Sequence, residues 1–181
     1  MMVRIKQSEP LAEMRPLIDQ EHLQSCITEI ARMILSDFAN GHHSGHSPVI
    51  VVAMKSGFMF AADLLKALNQ PWPVVFAWPR QDGIPMVIEG ETLIRGRDVI
   101  VVDALMDSGG SQKRLHAWLM QHHAASVRFA ILLHKTVDPS VLVPVFYLGF
   151  EVPDVRLVGY GLDEEQEYRG MAAVHTWWQQ A

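Results

Sequence analysis

The chain reads as an α/β protein with a mainly parallel central sheet flanked by helices, and three observations predict it. Short uninterrupted apolar runs recur, the first two rich in β-branched residues: Val49-Ile50-Val51-Val52-Ala53-Met54, Val99-Ile100-Val101-Val102 and Phe129-Ala130-Ile131-Leu132-Leu133. None alternates apolar with polar residues, which marks strands covered on both faces. Helical periodicity falls between them, and strand–helix alternation is the signature of a parallel sheet. Composition agrees. The 181 residues are 49% hydrophobic and 19% charged, enough for one domain, 1–181, with a full core.

The elements follow in order. Leu23, Ile27, Ile30, Ile34 and Phe38 recur at spacings of three and four, which predicts a helix over 21–38 with one apolar face. Residues 49–54 form the first buried strand, 58–69 a helix and 74–78 a second strand. Residues 83–95 break the rhythm and predict a small antiparallel excursion outside the main sheet. The third strand covers 98–102. A helix over 111–123 carries Leu115, Trp118, Leu119 and His122 on one face. Strands at 129–133 and 145–148 complete the sheet.

Charge and cysteine content exclude several classes. A net charge of −5 argues against a protein that holds nucleic acid by bulk charge. The single cysteine, Cys26, cannot form an intramolecular disulfide. No apolar run approaches the roughly 18 residues that span a bilayer. The segment MMVRIKQSEP lacks the apolar stretch of a signal peptide, so the expectation is a soluble cytoplasmic protein without a membrane partner. His42, His43 and His46 lie in a Gly/Ser-rich segment without nearby Cys or carboxylates, which reads as a connecting loop. His122 and His123 are adjacent on a helix and point apart, so they make poor joint ligands.

The most informative segment follows the third strand: Asp103-Ala104-Leu105-Met106-Asp107-Ser108-Gly109-Gly110-Ser111. A buried strand delivers Asp103 at its tip, and a loop with two glycines and two hydroxyls leads into a helix. Glycines let backbone approach a ligand closely. Free N–H groups at a helix start favour an anion, most naturally phosphate. Taken alone, the same pattern also describes a tight strand-to-helix turn with Asp and Ser as caps.

This run resembles the phosphoribosyl-diphosphate loop of type I phosphoribosyltransferases. Three more segments narrow the likeness to the hypoxanthine-guanine phosphoribosyltransferase family. Residues 53–64, with Lys55-Ser56-Gly57, look like its pyrophosphate loop and following helix. Residues 131–136 are similar to its base-recognition strand. The third segment is Tyr147-Leu148-Gly149-Phe150-Glu151-Val152-Pro153-Asp154, continuing to Val158-Gly159-Tyr160-Gly161-Leu162-Asp163 and to Glu167-Tyr168-Arg169.

The resemblance implies a sheet-and-helix core with a small hood. It also implies transfer of ribose 5-phosphate from phosphoribosyl diphosphate to hypoxanthine or guanine, with release of pyrophosphate. By resemblance, Asp107 is the general base beside purine N7, and Ser108, Gly109, Gly110 and Ser111 hold the 5-phosphate. Asp103 accepts from a ribose hydroxyl or steadies the water shell of the metal. Lys135 donates to the exocyclic O6, and Leu157 offers a backbone contact to the base edge. Asp163 stands at the position of the Mg2+ carboxylate, and Arg169 at that of the pyrophosphate arginine. Lys55, Ser56 and Gly57 wrap pyrophosphate, and a non-proline cis peptide in that loop falls between Lys55 and Ser56. Phe150 and Tyr160 read as core residues. The family commonly forms homodimers or homotetramers.

Three departures stand out. Ala104 replaces a second consecutive acidic residue, which removes a charge-assisted hydrogen bond worth roughly 1.5–3 kcal/mol. Restoring that carboxylate is expected to tighten phosphoribosyl diphosphate binding. Arg156 replaces an aromatic residue that stacks on the purine; its plane either stacks likewise or points to solvent. The stretch between Trp78 and Arg95 is shorter than the family's lid and lacks its Ser-Tyr pair, leaving Trp78, Arg80 or Asp82 to serve instead. A diverged, non-catalytic regulatory protein that binds a nucleotide or phosphoribosyl diphosphate is the alternative.

Overall fold

The computed structural model describes residues 13–39, 45–79, 85–88, 90–135 and 143–178. In chain order the elements are β1 (Glu13–Ile18), α1 (Gln20–Ala39), β2 (Val49–Ala53), α2 (Phe58–Leu68), β3 (Val74–Pro79), β4 (Pro85–Ile88) and α3 (Glu91–Ile94). They continue with β5 (Asp98–Met106), α4 (Gly110–Gln121), β6 (Ser126–Lys135), β7 (Val145–Val152), β8 (Arg156–Val158) and β9 (Val174–Trp178).

The main sheet has the order β4-β3-β2-β5-β6-β7. Strands β3, β2, β5, β6 and β7 run parallel, as the apolar runs predict. Successive side chains of a strand face opposite ways, and the two faces pack on different helices. Ile50, Val52, Ile100 and Val102 join Leu23, Ile27, Ile30 and Ile34 of α1 and Phe60 and Leu64 of α2. Val49, Val51, Val99, Val101 and Ile131 join Leu115 and Leu119 of α4. Each fully buried side chain of this size contributes roughly 1.5–3 kcal/mol. Neither face could be polar, which is why these strands show no alternation.

Three boundaries differ from expectation in ways that matter. Helix α2 stops at Leu68 because Asn69 takes a left-handed conformation (φ 48°), with its N–H donating to the Leu65 carbonyl. The excursion at 83–95 is antiparallel as expected but not outside the sheet. Its strand β4 pairs with β3 and forms one edge. Most consequential, β5 does not end at Val102. It stays paired with β6 through Asp103, Leu105 and Met106, opposite Ile131, Leu133 and His134. Asp103 therefore lies inside the sheet and not at a strand tip.

A second, antiparallel sheet, β1-β9-β8, forms the hood that the resemblance implied. Periodicity did not reveal its strands. β8 has three residues, and β1 contains Pro16 beside a register shift, so neither presents a clean repeat. Tyr160 is buried and Phe150 packs against the core, as expected of both.

Candidate active site

Parallel strands deliver their loops to one edge, and ligands bind there. The chain leaves β2 at Ala53, β5 at Met106, β6 at Lys135 and β7 at Val152 on that edge. Each of these ends leads into a segment singled out above.

The loop after β2 carries Lys55, Ser56 and Gly57 into α2. The Gly57 N–H donates back to the Ala53 carbonyl at 3.1 Å. A side chain at Gly57 is sterically barred, because a Cβ there would stand 2.5 Å from the Ala53 oxygen and 3.2 Å from that of Val102. The loop thus lies flat on the ends of β2 and β5. Its cis peptide is Met54–Lys55, one bond earlier than the resemblance placed it. Lys55 is exposed and Ser56 half-buried.

The loop after β5 carries Asp107, Ser108 and Gly109. Gly109 is left-handed (φ 72°) and caps α4 through its backbone alone; no side chain caps this helix. Asp107 is therefore not the cap that a bland reading of the turn suggests. The Lys113 N–H donates to the Gly109 carbonyl at 2.9 Å. The N–H groups ahead of it, at Gly110, Ser111 and Gln112, emerge from the helix end, where an anion is favoured. Ser111 is exposed, and its Oγ accepts from Arg114 at 3.3 Å.

Lys135 is the last residue of β6 and is buried, not the surface lysine that base rates for this residue favour. Its Nζ stands 3.3 Å from Asp107 Oδ2 and 3.3 Å from Asp154 Oδ1. Leu157 sits on β8 with its side chain buried. The neighbouring Arg156 is largely exposed and pairs through Nε with Glu164 Oε2.

The turn between β8 and β9 holds Asp163 and Arg169. Arg169 donates to the Gly161 carbonyl at 2.7 Å and to Gln166 Oε1 at 3.1 Å, and it pairs with Asp163 Oδ1 at 2.7 Å. The Gln166 N–H donates to Asp163 Oδ2 at 2.9 Å. A five-donor guanidinium keeps capacity for an anion beyond these bonds. Gly161 (φ 96°) is required where it is, since a Cβ would stand 2.2 Å from the Ser56 oxygen. This turn therefore rests directly on the loop after β2. Tyr160 anchors it further by donating to Asp63 Oδ2 of α2 at 2.7 Å. Burial pushes the Tyr160 hydroxyl far above its ordinary range, and the Asp63 carboxylate adds to the shift.

Asp103 departs from its expected place. It is 8% exposed, and Gln112 Nε2 donates to its Oδ2 at 2.7 Å. The N–H groups of Leu105 and Ala104 and the Ser56 hydroxyl lie near it and favour its charged form. Burial raises the carboxyl to about 6, and these donors oppose that rise. Gln112 thus already engages one oxygen of the carboxylate. Ala104 is 1% exposed and packs in the α1–α2 layer. Of the residues suggested for a lid, Arg80 and Asp82 lie outside the described residues, as do His42 and His43. Trp78 lies on β3, paired with Met86.

Sequence reasoning missed Gln112, Asp154 and Glu164. Gln112 had a signal: it is in phase with the buried Leu115 and Leu119, a polar residue on the apolar face of α4. Asp154 and Glu164 had none, because their spacings from Lys135 and Arg156 match no helical or strand repeat that would pair them.

The phosphoribosyl transferase domain model matches residues 20–165. The hypoxanthine phosphoribosyltransferase of Salmonella typhimurium is 30% identical over 166 residues, which span 87% of this chain and 92% of that protein. The hypoxanthine-guanine phosphoribosyltransferase of Dictyostelium discoideum is 29% identical over 164 residues, 84% of this chain and 89% of its own. Among solved structures, a hypoxanthine-guanine phosphoribosyltransferase from Bacillus anthracis is similar with a TM-score of 0.80 and 30% identity, covering 91% of this chain and 99% of that one. Shared sheet, shared loops and identity along most of the length agree: the chain belongs to the hypoxanthine-guanine phosphoribosyltransferase family.

Proposed function

We propose that the chain transfers ribose 5-phosphate from phosphoribosyl diphosphate to hypoxanthine or guanine. The observation that carries this reading is the buried Lys135 ammonium, held beside Asp107 at the mouth of an anion-binding helix start. A cation there pairs with the O6 of a 6-oxopurine, whereas the 6-amino group of adenine leaves it unpaired.

The bond from the anomeric carbon to pyrophosphate breaks, and pyrophosphate leaves with the electron pair. The purine N9 then forms the new bond to that carbon. Asp107, an exposed carboxylate next to Lys135, takes the proton from purine N7. Ser108, Gly109, Gly110 and Ser111 hold the 5-phosphate through N–H groups and hydroxyls. Lys55, Ser56, Gly57 and Arg169 hold the pyrophosphate, the arginine as a planar fork. Leu157 contributes backbone to the base edge. The Arg156 guanidinium, drawn toward Glu164, covers the purine face where relatives have an aromatic ring.

Magnesium fits this donor set. Among the described residues no three His, Cys, Asp or Glu side chains converge on one point. A single carboxylate completed by substrate oxygens and water is how this ion is usually held beside phosphates. Asp163 would be that carboxylate, and the ion when bound would supply charge neutralisation on the pyrophosphate.

The joint presence of Asp107, Lys135, Asp163 and Arg169 favours an enzyme over a non-catalytic binding protein. We further propose a cytoplasmic homodimer or homotetramer. Phe146 and Leu148, exposed on the edge strand β7, offer an apolar strip to a second copy, which sedimentation checks. No described helix is long and apolar enough to cross a membrane. The test of activity is to detect inosinate or guanylate after incubation with phosphoribosyl diphosphate, magnesium and base. Folded protein that binds phosphoribosyl diphosphate yet forms neither nucleotide contradicts the enzyme reading.

A further inference from the structure

The Asp103 carboxylate touches three separate parts of the site. From α4, Gln112 Nε2 donates to Oδ2 at 2.7 Å, and the same nitrogen reaches the Leu105 carbonyl at 3.2 Å. From β5, the N–H groups of Ala104 and Leu105, and from the loop after β2 the Ser56 hydroxyl, lie near it and favour its charged form. Gln112 is itself only 4% exposed. A leucine pair would join helix to sheet without the desolvation cost of a buried charge. The polar pair therefore calls for a reason beyond cohesion.

The loops it joins supply one. Ser56 belongs to the loop assigned to pyrophosphate, and Gln112 sits in the first turn of the helix assigned to the 5-phosphate. The loop after β2 also presses on the Val102 carbonyl, one residue before Asp103, through Gly57. On its other side, the Ser56 carbonyl carries the Gly161 backbone of the turn that holds Asp163. The loop after β2 is thus held between β5, one residue before Asp103, and the hood.

We propose that Asp103 and Gln112 are positioning residues that set the distance between the two anion sites, so that both ends of phosphoribosyl diphosphate bind as one unit. This rests on phosphoribosyl diphosphate as the substrate. A ligand with both anions feels the spacing, whereas a ligand with one does not.

Gln112→Met keeps the side-chain volume and removes the donor. Calorimetry on the full chain should show phosphoribosyl diphosphate binding weakened roughly tenfold, with ribose 5-phosphate and pyrophosphate, each alone, within about twofold of wild type. The KM for phosphoribosyl diphosphate should rise by a similar factor while that for hypoxanthine holds. Gln112→Leu, which also removes the donor, should show the same excess loss for the two-ended ligand, and it serves if Gln112→Met does not fold. Unchanged phosphoribosyl diphosphate binding, or one-ended ligands weakened as much as the two-ended one, would overturn the positioning role alone. Wild-type protein that binds no phosphoribosyl diphosphate would overturn the underlying reading with it.

Discussion

Lys135 Nζ stands 3.3 Å from Asp107 Oδ2, across the edge where β5 and β6 end. The cation proposed to read the purine O6 and the carboxylate proposed to accept its proton thus hold each other before any substrate arrives. Lys135 is 10% exposed and Asp107 57%, so the lysine is the fixed member and the aspartate the accessible one.

Removing either partner should therefore give different kinetics. Asp107→Asn keeps the shape of an exposed side chain and loses the proton acceptor. Turnover should fall roughly 10²- to 10⁴-fold with the melting temperature little changed. Lys135→Met should instead raise the KM for hypoxanthine, by roughly 10- to 100-fold for a lost charged hydrogen bond. Steady-state kinetics of both variants checks the split. Wild-type turnover in Asp107→Asn removes that residue from the mechanism.

Ala104→Asp should harm the protein, contrary to the expectation from sequence that a restored carboxylate tightens substrate binding. The position is 1% exposed and faces the α1–α2 layer. An unpaired carboxylate there should cost at least about 2 kcal/mol. Urea unfolding measures the loss, and binding of phosphoribosyl diphosphate should not improve.

Asp103 has a pH signature. Burial raises its folded carboxyl from the ordinary 3.8 to about 6, so the folded state binds the proton more tightly. Its contribution to stability is full below the unfolded value and is lost as pH rises through about 6. Asp103→Asn does not titrate. The stability of that variant relative to wild type should therefore improve between pH 4 and pH 7, by on the order of 2 kcal/mol. Denaturant melts at the two pH values test this; a pH-independent difference would contradict the burial of the charge.

Glu164→Gln should loosen Arg156 with little effect on stability, because Arg156 is largely exposed. The KM for the purine should rise about two- to fivefold while that for phosphoribosyl diphosphate stays put. Equal changes in both would point to the neighbouring Asp163 turn instead.

The parallel sheet was legible because β2, β5 and β6 are covered on both faces and show it as unbroken apolar runs. The loops were legible because anion binding needs glycine and hydroxyls at fixed offsets after a strand. The full length of β5 was hidden, since Asp103 looks like a terminator. Pairing with β6 keeps it inside the sheet, and Gln112 of α4 satisfies its carboxylate. The hood was hidden because β1 and β9 come from opposite ends of the sequence and meet only in the fold. Lys135–Asp154 and Arg156–Glu164 were hidden because their spacings match no helical or strand repeat that would pair them.

The most direct measurement is the rate of pyrophosphate release by the purified protein with phosphoribosyl diphosphate, magnesium and each purine in turn. Lys135 beside Asp107 predicts turnover with hypoxanthine or guanine, and a kcat/KM for adenine lower by roughly 10²-fold or more. Equal rates with adenine, or no release with any base from folded protein, would contradict the account.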